Sequence, residues 1–320
     1  MIKVLLTGSS GFVASNLYDA LHQEFELYGL DITEKGKFPK ERIFGWDQLD
    51  LLPATEVIIH LAGKAHDTKN ISEEAEYFEV NSGLTQKIFN IFLQSEAQKF
   101  IFFSSVKAVA DTVEGETLTE EAVPDPKTPY GKSKLAAEQY ILSKPIPEDK
   151  MVYILRPSMI HGRGNKGNLN LLYQVVTKNI PWPLGAFDNR RSFLSTGNLS
   201  FIINQLISNN IRSGIYNIAD DEPLSTNELI SLIAASSGRK ARIMKMPRKF
   251  IGFIAKSGDF LCLPLNSERL KKLTENYVVS NSKIKKALNI RSLPFTAREG
   301  MKNTLDSFAT DTKKQIKKPV

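Results

Sequence analysis

The sequence predicts a doubly wound α/β fold, in which helices cover both faces of a parallel sheet. In the first half of the chain, short apolar runs alternate with amphipathic segments of helix length. This alternation is typical of parallel sheets, and nearly continuous apolar runs are typical of strands covered on both faces. A glycine-rich turn at residues 7–14 directly follows the first run. Such a turn between a strand and a helix is typical of the same fold.

Five apolar runs are candidate strands, and amphipathic segments between and after them are candidate helices. The strands are predicted at residues 2–6, 27–30, 57–61, 100–103 and 152–155, and the helices at 14–24, 74–94, 226–236 and 282–288. After about residue 160, glycines and prolines become frequent. We therefore expect a Rossmann domain over residues 1–160, a smaller mixed α/β substrate-binding lobe over 161–310, with segments near 190–220 returning to the sheet, and a disordered basic tail over 311–320.

Composition excludes several classes of protein. The chain has 320 residues, of which 42% are apolar, which is ordinary for a globular protein with a sizeable core. Cys262 is the single cysteine, so no intrachain disulfide and no cysteine-rich metal site are expected, and a cytoplasmic location is predicted. No membrane span is expected, because the apolar stretch 250–265 is interrupted by Lys256 and Asp259.

The net charge of +7 is concentrated in two places. Residues 239–256 contain seven Lys or Arg and no acidic residue, and the tail adds Lys313, Lys314, Lys317 and Lys318. Such a surface could meet nucleic acid, anionic lipid or a phosphorylated small substrate, but a solvated face with a frayed tail is the preferred explanation. No interleaved pattern of stacking aromatics accompanies residues 239–256, so no nucleic-acid partner is expected.

The glycine-rich turn predicts a dinucleotide-binding site. Gly8 and Gly11 allow a tight turn, and free amides at the start of the following helix can meet a pyrophosphate. Asp31, about twenty residues on, ends the second strand. A carboxylate there accepts hydrogen bonds from ribose hydroxyls and repels a 2'-phosphate, which favours NAD over NADP.

A catalytic group is predicted on a later helix. Tyr130 and Lys134 are four residues apart, which places a phenol and an ammonium on one helix face. A neighbouring ammonium stabilises a phenolate and is expected to lower the phenol pKa. Ser104 and Ser105 end an apolar strand, so a serine hydroxyl can hydrogen-bond the oxygen whose proton Tyr130 transfers.

Taken together, these motifs resemble the extended short-chain dehydrogenase/reductase family, of the NAD-dependent epimerase/dehydratase type, in order and spacing. The resemblance includes His60-Leu-Ala-Gly63 and Leu155-Arg-Pro157. It implies that Tyr130 is the acid/base, that Lys134 binds the nicotinamide ribose and tunes Tyr130, and that Ser105 polarises the reacting hydroxyl. The implied cofactor contacts are Gly8, Ser10, Gly11, Phe12, Val13, Asp31, Leu61, Ala62, Gly63, Asn81, Ser104, Tyr130, Lys134, Arg156 and Pro157.

The second half looks like the nucleotide-sugar branch of that family, through residues 161–168, 189–191 and 216–220. It is similar to UDP-sugar 4-epimerases and to reductases that form UDP-N-acetylquinovosamine. The implied substrate contacts are Ser105, Lys107, Asn168 and Arg191, with Asn168 and Arg191 on the diphosphate. Ala108-Val-Ala110 departs from the Val-Tyr-Gly usual in epimerases, and Val106-Lys107 replaces the Asp-Glu pair of the 4,6-dehydratases.

The resulting hypothesis is an NAD(H)-dependent oxidoreductase acting at carbon 4 of a UDP-linked hexose or N-acetylhexosamine for surface polysaccharide. Reduction of a 4-keto sugar is slightly preferred, and 4-epimerisation is the alternative. A non-catalytic dinucleotide sensor is a more remote one. The resemblance also implies a homodimer that uses residues 74–94 and 136–142, and no metal site is expected.

Overall fold

The structure, a computed structural model, describes residues 1–65, 73–113, 115–165, 167–261 and 266–316. Of residues 168, 261, 309 and 311–316 it describes the backbone. Cys262 and the tail residues Lys317 and Lys318 lie outside the described residues.

A seven-stranded, fully parallel sheet forms the centre of the molecule. The strands of the described chain are β1 (Lys3–Thr7), β2 (Glu26–Leu30), β3 (Ile43–Phe44), β4 (Val57–His60), β5 (Lys99–Phe103), β6 (Met151–Pro157), β7 (Met159–His161), β8 (Phe193–Ser195) and β9 (Gly214–Ile218). The sheet order is β3-β2-β1-β4-β5-β6-β9, while β7 and β8 form a separate parallel pair. The predicted doubly wound α/β fold is confirmed.

The helices of the described chain are α1 (Phe12–Leu21), α2 (Glu74–Tyr77), α3 (Leu84–Gln94), α4 (Pro129–Leu142), α5 (Asn168–Thr177), α6 (Thr196–Ser208), α7 (Thr226–Ser236), α8 (Arg248–Leu261), α9 (Ser267–Thr274), α10 (Ser282–Ala287) and α11 (Ala297–Ile316). A π-helical turn, Phe78–Gly83, joins α2 to α3. The predicted helix 74–94 therefore exists, but its hydrogen-bond pattern changes in the middle. Such turns are frequent at functional sites.

Apolar side chains pack on both faces of the sheet. On one face, Leu17 of α1 and Ile203 of α6 pack with Leu6. On the other face, Phe89 of α3 and Ile141 of α4 pack with sheet residues that include Phe100. A separate apolar cluster joins α5, α7, α8 and α11. Coverage on both faces explains why the strands are continuous apolar runs.

Strand β5 begins one residue before the predicted strand, at a buried lysine. The Lys99 ammonium donates hydrogen bonds to the carbonyl oxygens of Leu206, Ile207 and Asn209, at 3.2, 2.6 and 2.9 Å. These carbonyls belong to the end of α6, where helix carbonyls lack partners within the helix. The lysine is therefore compatible with a buried strand end because it caps a helix.

Segments after residue 161 contribute to the sheet. β9 pairs with β6, and α6 packs against α1. β8 pairs with β7 instead of joining the main sheet. Helix α11 runs to Ile316 and so extends into the predicted tail. The division into domains at residue 160 stays a proposal.

Within the described residues, no helix is both long enough and apolar enough to cross a membrane.

Candidate active site

The glycine-rich turn lies between β1 and α1, at the carboxyl edge of the sheet, where parallel α/β folds bind ligands. Gly8 has a φ of +70°, and a Cβ there would lie 2.9 Å from the Ala62 backbone. Gly11 precedes α1, and its helix start has no side-chain cap among the described residues. The amides of Phe12 and Val13 therefore lie at an uncapped helix terminus, which favours an anion.

Asp31 lies beside this turn at the end of β2, with 7% of its surface exposed. Its carboxylate accepts hydrogen bonds from the Ser10 and Ile32 amides, each at 2.7 Å. The glycine-rich turn therefore holds the Asp31 carboxylate in direct contact with its own backbone. These residues fit a dinucleotide, because the uncapped amides suit its pyrophosphate and the carboxylate suits a ribose diol.

A buried histidine joins β4 to its neighbours. The Thr7 hydroxyl lies 2.7 Å from His60 Nδ1, and His60 Nε2 lies 2.9 Å from the Thr85 hydroxyl. Burial holds the His60 pKa well below its usual value, with a smaller contribution from the Lys134 charge. Thr7 also accepts from the Ala62 amide at 3.0 Å. His60 is thus a neutral side chain that links β4 to its neighbours and fixes the loop after β4. The sequence did not predict that Thr7 would bind both His60 and this loop.

Asn81, in the π-helical turn, connects that loop to α4. Its Oδ1 accepts from the Lys64 amide at 2.7 Å, and its Nδ2 donates to the Ser133 hydroxyl at 2.9 Å. A Cβ at Gly63 would lie 2.8 Å from Asn81 Oδ1 and 3.1 Å from the Lys134 ammonium. Only glycine therefore lets this loop approach Asn81 and Lys134 so closely.

Tyr130 lies in the first turn of α4. This turn is held by the cap residue Thr128 and by the loop that follows β5. Thr128 caps the helix by accepting from the Gly131 amide at 3.2 Å. Asp111 accepts from the Lys127 amide at 2.8 Å, and a Cβ at Gly131 would collide with the Lys107 carbonyl oxygen. Helix α4 therefore packs tightly on the loop that follows β5.

This packing brings the Ser105 hydroxyl close enough to the Tyr130 phenol to favour its ionised form. Ser105 Oγ also accepts from the Lys107 amide at 3.1 Å. The predicted pair is thus assembled from β5 and α4. The edge of the Tyr77 ring faces Tyr130, with ring centroids 6.5 Å apart.

The charge balance at the phenol differs from the prediction. Burial raises the Tyr130 pKa, and the Ser105 hydrogen bond only partly opposes this effect. The expected lowering is wrong for the protein alone, because burial outweighs it. The Lys134 ammonium donates a hydrogen bond to the Phe103 carbonyl at 2.8 Å. Burial lowers the Lys134 pKa to about 8, although nearby Glu138 opposes the shift.

Ser104, Glu138 and Arg156 form a buried network beneath the site. The Arg156 guanidinium donates from Nε and NH2 to both Glu138 oxygens, at 2.9 and 2.5 Å, and Ser104 donates to Oε1 at 2.5 Å. Glu138 and Arg156 are 1% and 3% exposed. These contacts favour a positioning role for Ser104 and Arg156 over the predicted cofactor contacts of their side chains.

A second group of cations surrounds Tyr277 on the lobe side. The Lys107 ammonium lies 4.3 Å from the Tyr277 ring centroid and donates to the Asp111 carbonyl at 2.8 Å. Arg191 donates to the Lys272 carbonyl, and burial lowers its pKa while Glu275 opposes the shift. Burial also lowers the Lys107 pKa. Two desolvated cations near one ring form a place for an anionic group.

Two of the four predicted substrate residues, Lys107 and Arg191, are thus brought together, with Ser105 near Lys107. The Asn168 side chain lies outside what the structure describes. The sequence did not predict three residues that contact or lie near these cations: Tyr277, Lys272 and Glu275. The tyrosine follows no recognisable motif and reaches the site through backbone pairing with Arg190 and Ser192.

Comparisons with known proteins agree with this geometry. UDP-glucose 4-epimerase of Vibrio cholerae is 28% identical over 322 residues, covering 96% of this chain and 95% of the relative. The N-acetyl-alpha-D-glucosaminyl-diphospho-ditrans,octacis-undecaprenol 4-epimerase of Escherichia coli O157:H7 is 28% identical over 335 residues, covering 98% and 97%. A solved UDP-glucuronic acid 4-epimerase from Bacillus cereus, in complex with NAD, is 20% identical, covers 99% of this chain and 100% of that chain, and has a TM-score of 0.72.

A model of the NAD dependent epimerase/dehydratase family matches residues 4–219. The predicted family, the assignment as an enzyme and the NAD cofactor are thereby confirmed. The turn, the Ser105–Tyr130 pair and Lys134 all lie within the matched region. The chain belongs to the NAD dependent epimerase/dehydratase family.

Proposed function

We propose that the protein is a UDP-sugar 4-epimerase. The observation that carries this proposal is the Ser105 hydroxyl near the Tyr130 phenol, with Lys134 four residues further along α4 and the partly buried cations Lys107 and Arg191 on the lobe side. Ser105 and Tyr130 can move a proton at a sugar hydroxyl, and Lys107 and Arg191 can hold a diphosphate. The full-length relatives named as 4-epimerases support this alternative over the slightly preferred reduction.

In the proposed reaction, Tyr130 removes the proton of the carbon 4 hydroxyl while the carbon 4 hydrogen leaves as hydride. Ser105 donates a hydrogen bond to the same oxygen, and the Lys134 charge stabilises the phenolate form of Tyr130 that accepts the proton. Bound NAD supplies the hydride acceptor and donor. The 4-keto sugar then presents its other face, takes the hydride back, and recovers the proton from Tyr130.

The lobe supplies binding energy far from carbon 4. Arg191 and Lys107 would neutralise the diphosphate, whose position directs the sugar toward Tyr130. Both cations are already partly buried, which strengthens their interaction with phosphate. Because the phosphates are remote from the reacting carbon, rotation of the sugar between its two faces leaves this clamp in place.

A 4-ketoreductase for surface polysaccharide is the second candidate. It is favoured by Ala108-Val-Ala110, which departs from the epimerase pattern. One relative is named for a sugar on diphospho-undecaprenol, so a lipid diphosphate is a second candidate for the carrier of the sugar.

A homodimer through α2, α3 and α4 also stays a proposal, which light scattering would test.

Product analysis separates these candidates. Purified protein with NAD and no added reductant would be given UDP-glucose or UDP-N-acetylglucosamine, and the products would be resolved by NMR. An epimerase yields the galacto isomer without net consumption of cofactor. A reductase leaves both sugars unchanged and instead consumes NADH with a UDP-4-keto-6-deoxy sugar.

A further inference from the structure

Helix α8 carries the second half of the basic segment 239–256 onto the surface of the lobe. Its inner face packs into the lobe core, since Ile251 and Ala255 are each 1% exposed. The helix is therefore anchored to the protein along one face. Its opposite face has no role in the proposed reaction.

The outer face is a stripe of alternating charged and aromatic side chains, Lys249, Phe253, Lys256 and Phe260. Their spacing of four, three and four residues places them on one side of a helix. Phe253 and Phe260 are 69% and 88% exposed. Phe250, 48% exposed, extends the apolar surface. The expectation that no aromatics interleave with the basic segment is wrong, because the helix arranges residues that look scattered in sequence.

Charges around this stripe are overwhelmingly positive. Residues 239–256 contain no acid, and Asp259, the first acid beyond them, is held by Ser267 through hydrogen bonds of 2.9 and 2.5 Å. Within the described ranges, no ion pair engages Lys249 or Lys256. Exposed phenylalanines cost free energy in water, and unpaired lysines around them repel a second copy of the same face.

We propose that the outer face of α8 docks on the surface of an anionic phospholipid bilayer. Phenylalanine rings at such a helix enter the boundary between headgroups and acyl chains, while lysines contact lipid phosphates. A helix that lies in the interface needs no spanning length. The phenylalanine rings project outward from the helix surface. Rings in this position can enter the headgroup layer of a bilayer, and they are less suited to stacking on the bases of a single-stranded nucleic acid.

Docking would also place the candidate active site near the bilayer. Helix α9 packs against α8, and its Lys272 carbonyl accepts a hydrogen bond from Arg191. Helix α9 thus connects the docking face of α8 to Arg191, the predicted diphosphate contact. The docking proposal does not rest on the proposed function. It holds whether the sugar is carried by UDP or by a lipid diphosphate.

Vesicle flotation tests the proposal with the whole chain. Vesicles of phosphatidylcholine with phosphatidylglycerol are compared with vesicles of phosphatidylcholine alone. We expect binding to the anionic vesicles only, and a loss of at least about tenfold in the Phe253→Ser/Phe260→Ser variant. Lys249→Gln/Lys256→Gln should weaken binding severalfold and reduce its dependence on salt.

Two control variants isolate the stripe from general charge and apolarity. Val123→Ser removes an apolar side chain that is 86% exposed elsewhere, and Lys286→Gln/Lys302→Gln removes two exposed lysines. Both should bind as the unmodified protein does. Phe253→Trp adds a direct readout, since its emission should shift to the blue on anionic vesicles.

Absence of vesicle binding, or equal loss in the stripe and control variants, would overturn the proposal. So would a change of oligomeric state in Phe253→Ser/Phe260→Ser, which would make the face an interface between copies. Binding of a single-stranded oligonucleotide that is lost in this variant, without vesicle binding, would assign the face to nucleic acid. Circular dichroism verifies that each variant is folded.

Discussion

The two halves of the candidate site are held by different means. On the sheet side, backbone turns and buried or part-buried hydrogen bonds fix each group, as in Asn81 between the β4 loop and α4. On the lobe side, Arg191 and Lys107 are held by carbonyl oxygens and an aromatic ring, and burial works against their charges. Outside the glycine-rich turn with its uncapped amides, the side chains described on the sheet side already have protein partners. The lobe cations would gain most from an arriving anion, so binding selectivity should depend mainly on the lobe.

The buried network of the sheet side gives the largest expected effect. Arg156→Met leaves the Glu138 carboxylate buried without its cation, which should destabilise the fold by about 3–5 kcal/mol. The exposed pair Lys127–Asp125, with side chains 71% and 72% exposed, provides the matched control. Lys127→Met should cost less than about 1 kcal/mol. Chemical denaturation measures both, and similar losses would show that the Arg156 pair is not structurally important.

Replacement of Tyr130 by Phe keeps the ring and removes the proton that is transferred. Turnover should fall by about two orders of magnitude or more. Folding and NAD binding should be unchanged, because the ring contact with Tyr77 and the backbone contact with Ser133 remain and only the hydroxyl near Ser105 is lost. Initial rates and NAD titration are the measurements. Near-normal turnover would remove Tyr130 from the mechanism.

Arg191→Ala tests whether the lobe acts separately from the sheet side. Affinity for the UDP-sugar should fall by about 2–4 kcal/mol, the order expected for loss of a buried charge-assisted contact. Arg191→Lys should restore it only in part, because lysine lacks the two-pronged geometry. NAD affinity should not change. Competition by UDP is the measurement, and equal inhibition constants in both proteins would contradict a diphosphate contact.

The low pKa of Lys134 predicts an alkaline limit to activity. Its ammonium loses a proton as the pH rises through about 8, whereas the raised Tyr130 pKa keeps the phenol protonated there. Charge beside the phenol is then lost first, and turnover should fall about tenfold between about pH 7.5 and about pH 9. Lys134→Arg, which stays charged, should move this limb upward. A flat profile in the unmodified enzyme would contradict the assignment.

Asp31→Asn gives the smallest expected effect. Preference for NAD(H) over NADP(H) should decrease by about tenfold, because the charge that repels a 2'-phosphate is removed while the turn remains. Affinity for UDP should stay the same. Titration with both reduced cofactors decides the matter, and tighter binding of NADPH by the unmodified protein would refute the role of Asp31.

Local patterns predicted most of the sheet side. Gly8, Asp31 and the Tyr130–Lys134 spacing each belong to a short segment whose geometry follows from one strand or helix. Tyr277 could not be found this way, because it reaches the site by pairing with Arg190 and Ser192, far away in the chain. The Tyr130 pKa was predicted in the wrong direction for a similar reason. Sequence shows that Lys134 is near, but only the packed structure shows that the phenol is buried, which raises its pKa.

In the proposed reaction the carbon 4 hydrogen leaves the sugar and returns to the same carbon. Incubation of NAD-loaded enzyme with UDP-glucose or UDP-N-acetylglucosamine deuterated at carbon 4 tests this transfer by mass spectrometry and NMR. We expect a product inverted at carbon 4 that retains deuterium there. An inverted product without deuterium, or no inverted product from either sugar, would contradict it.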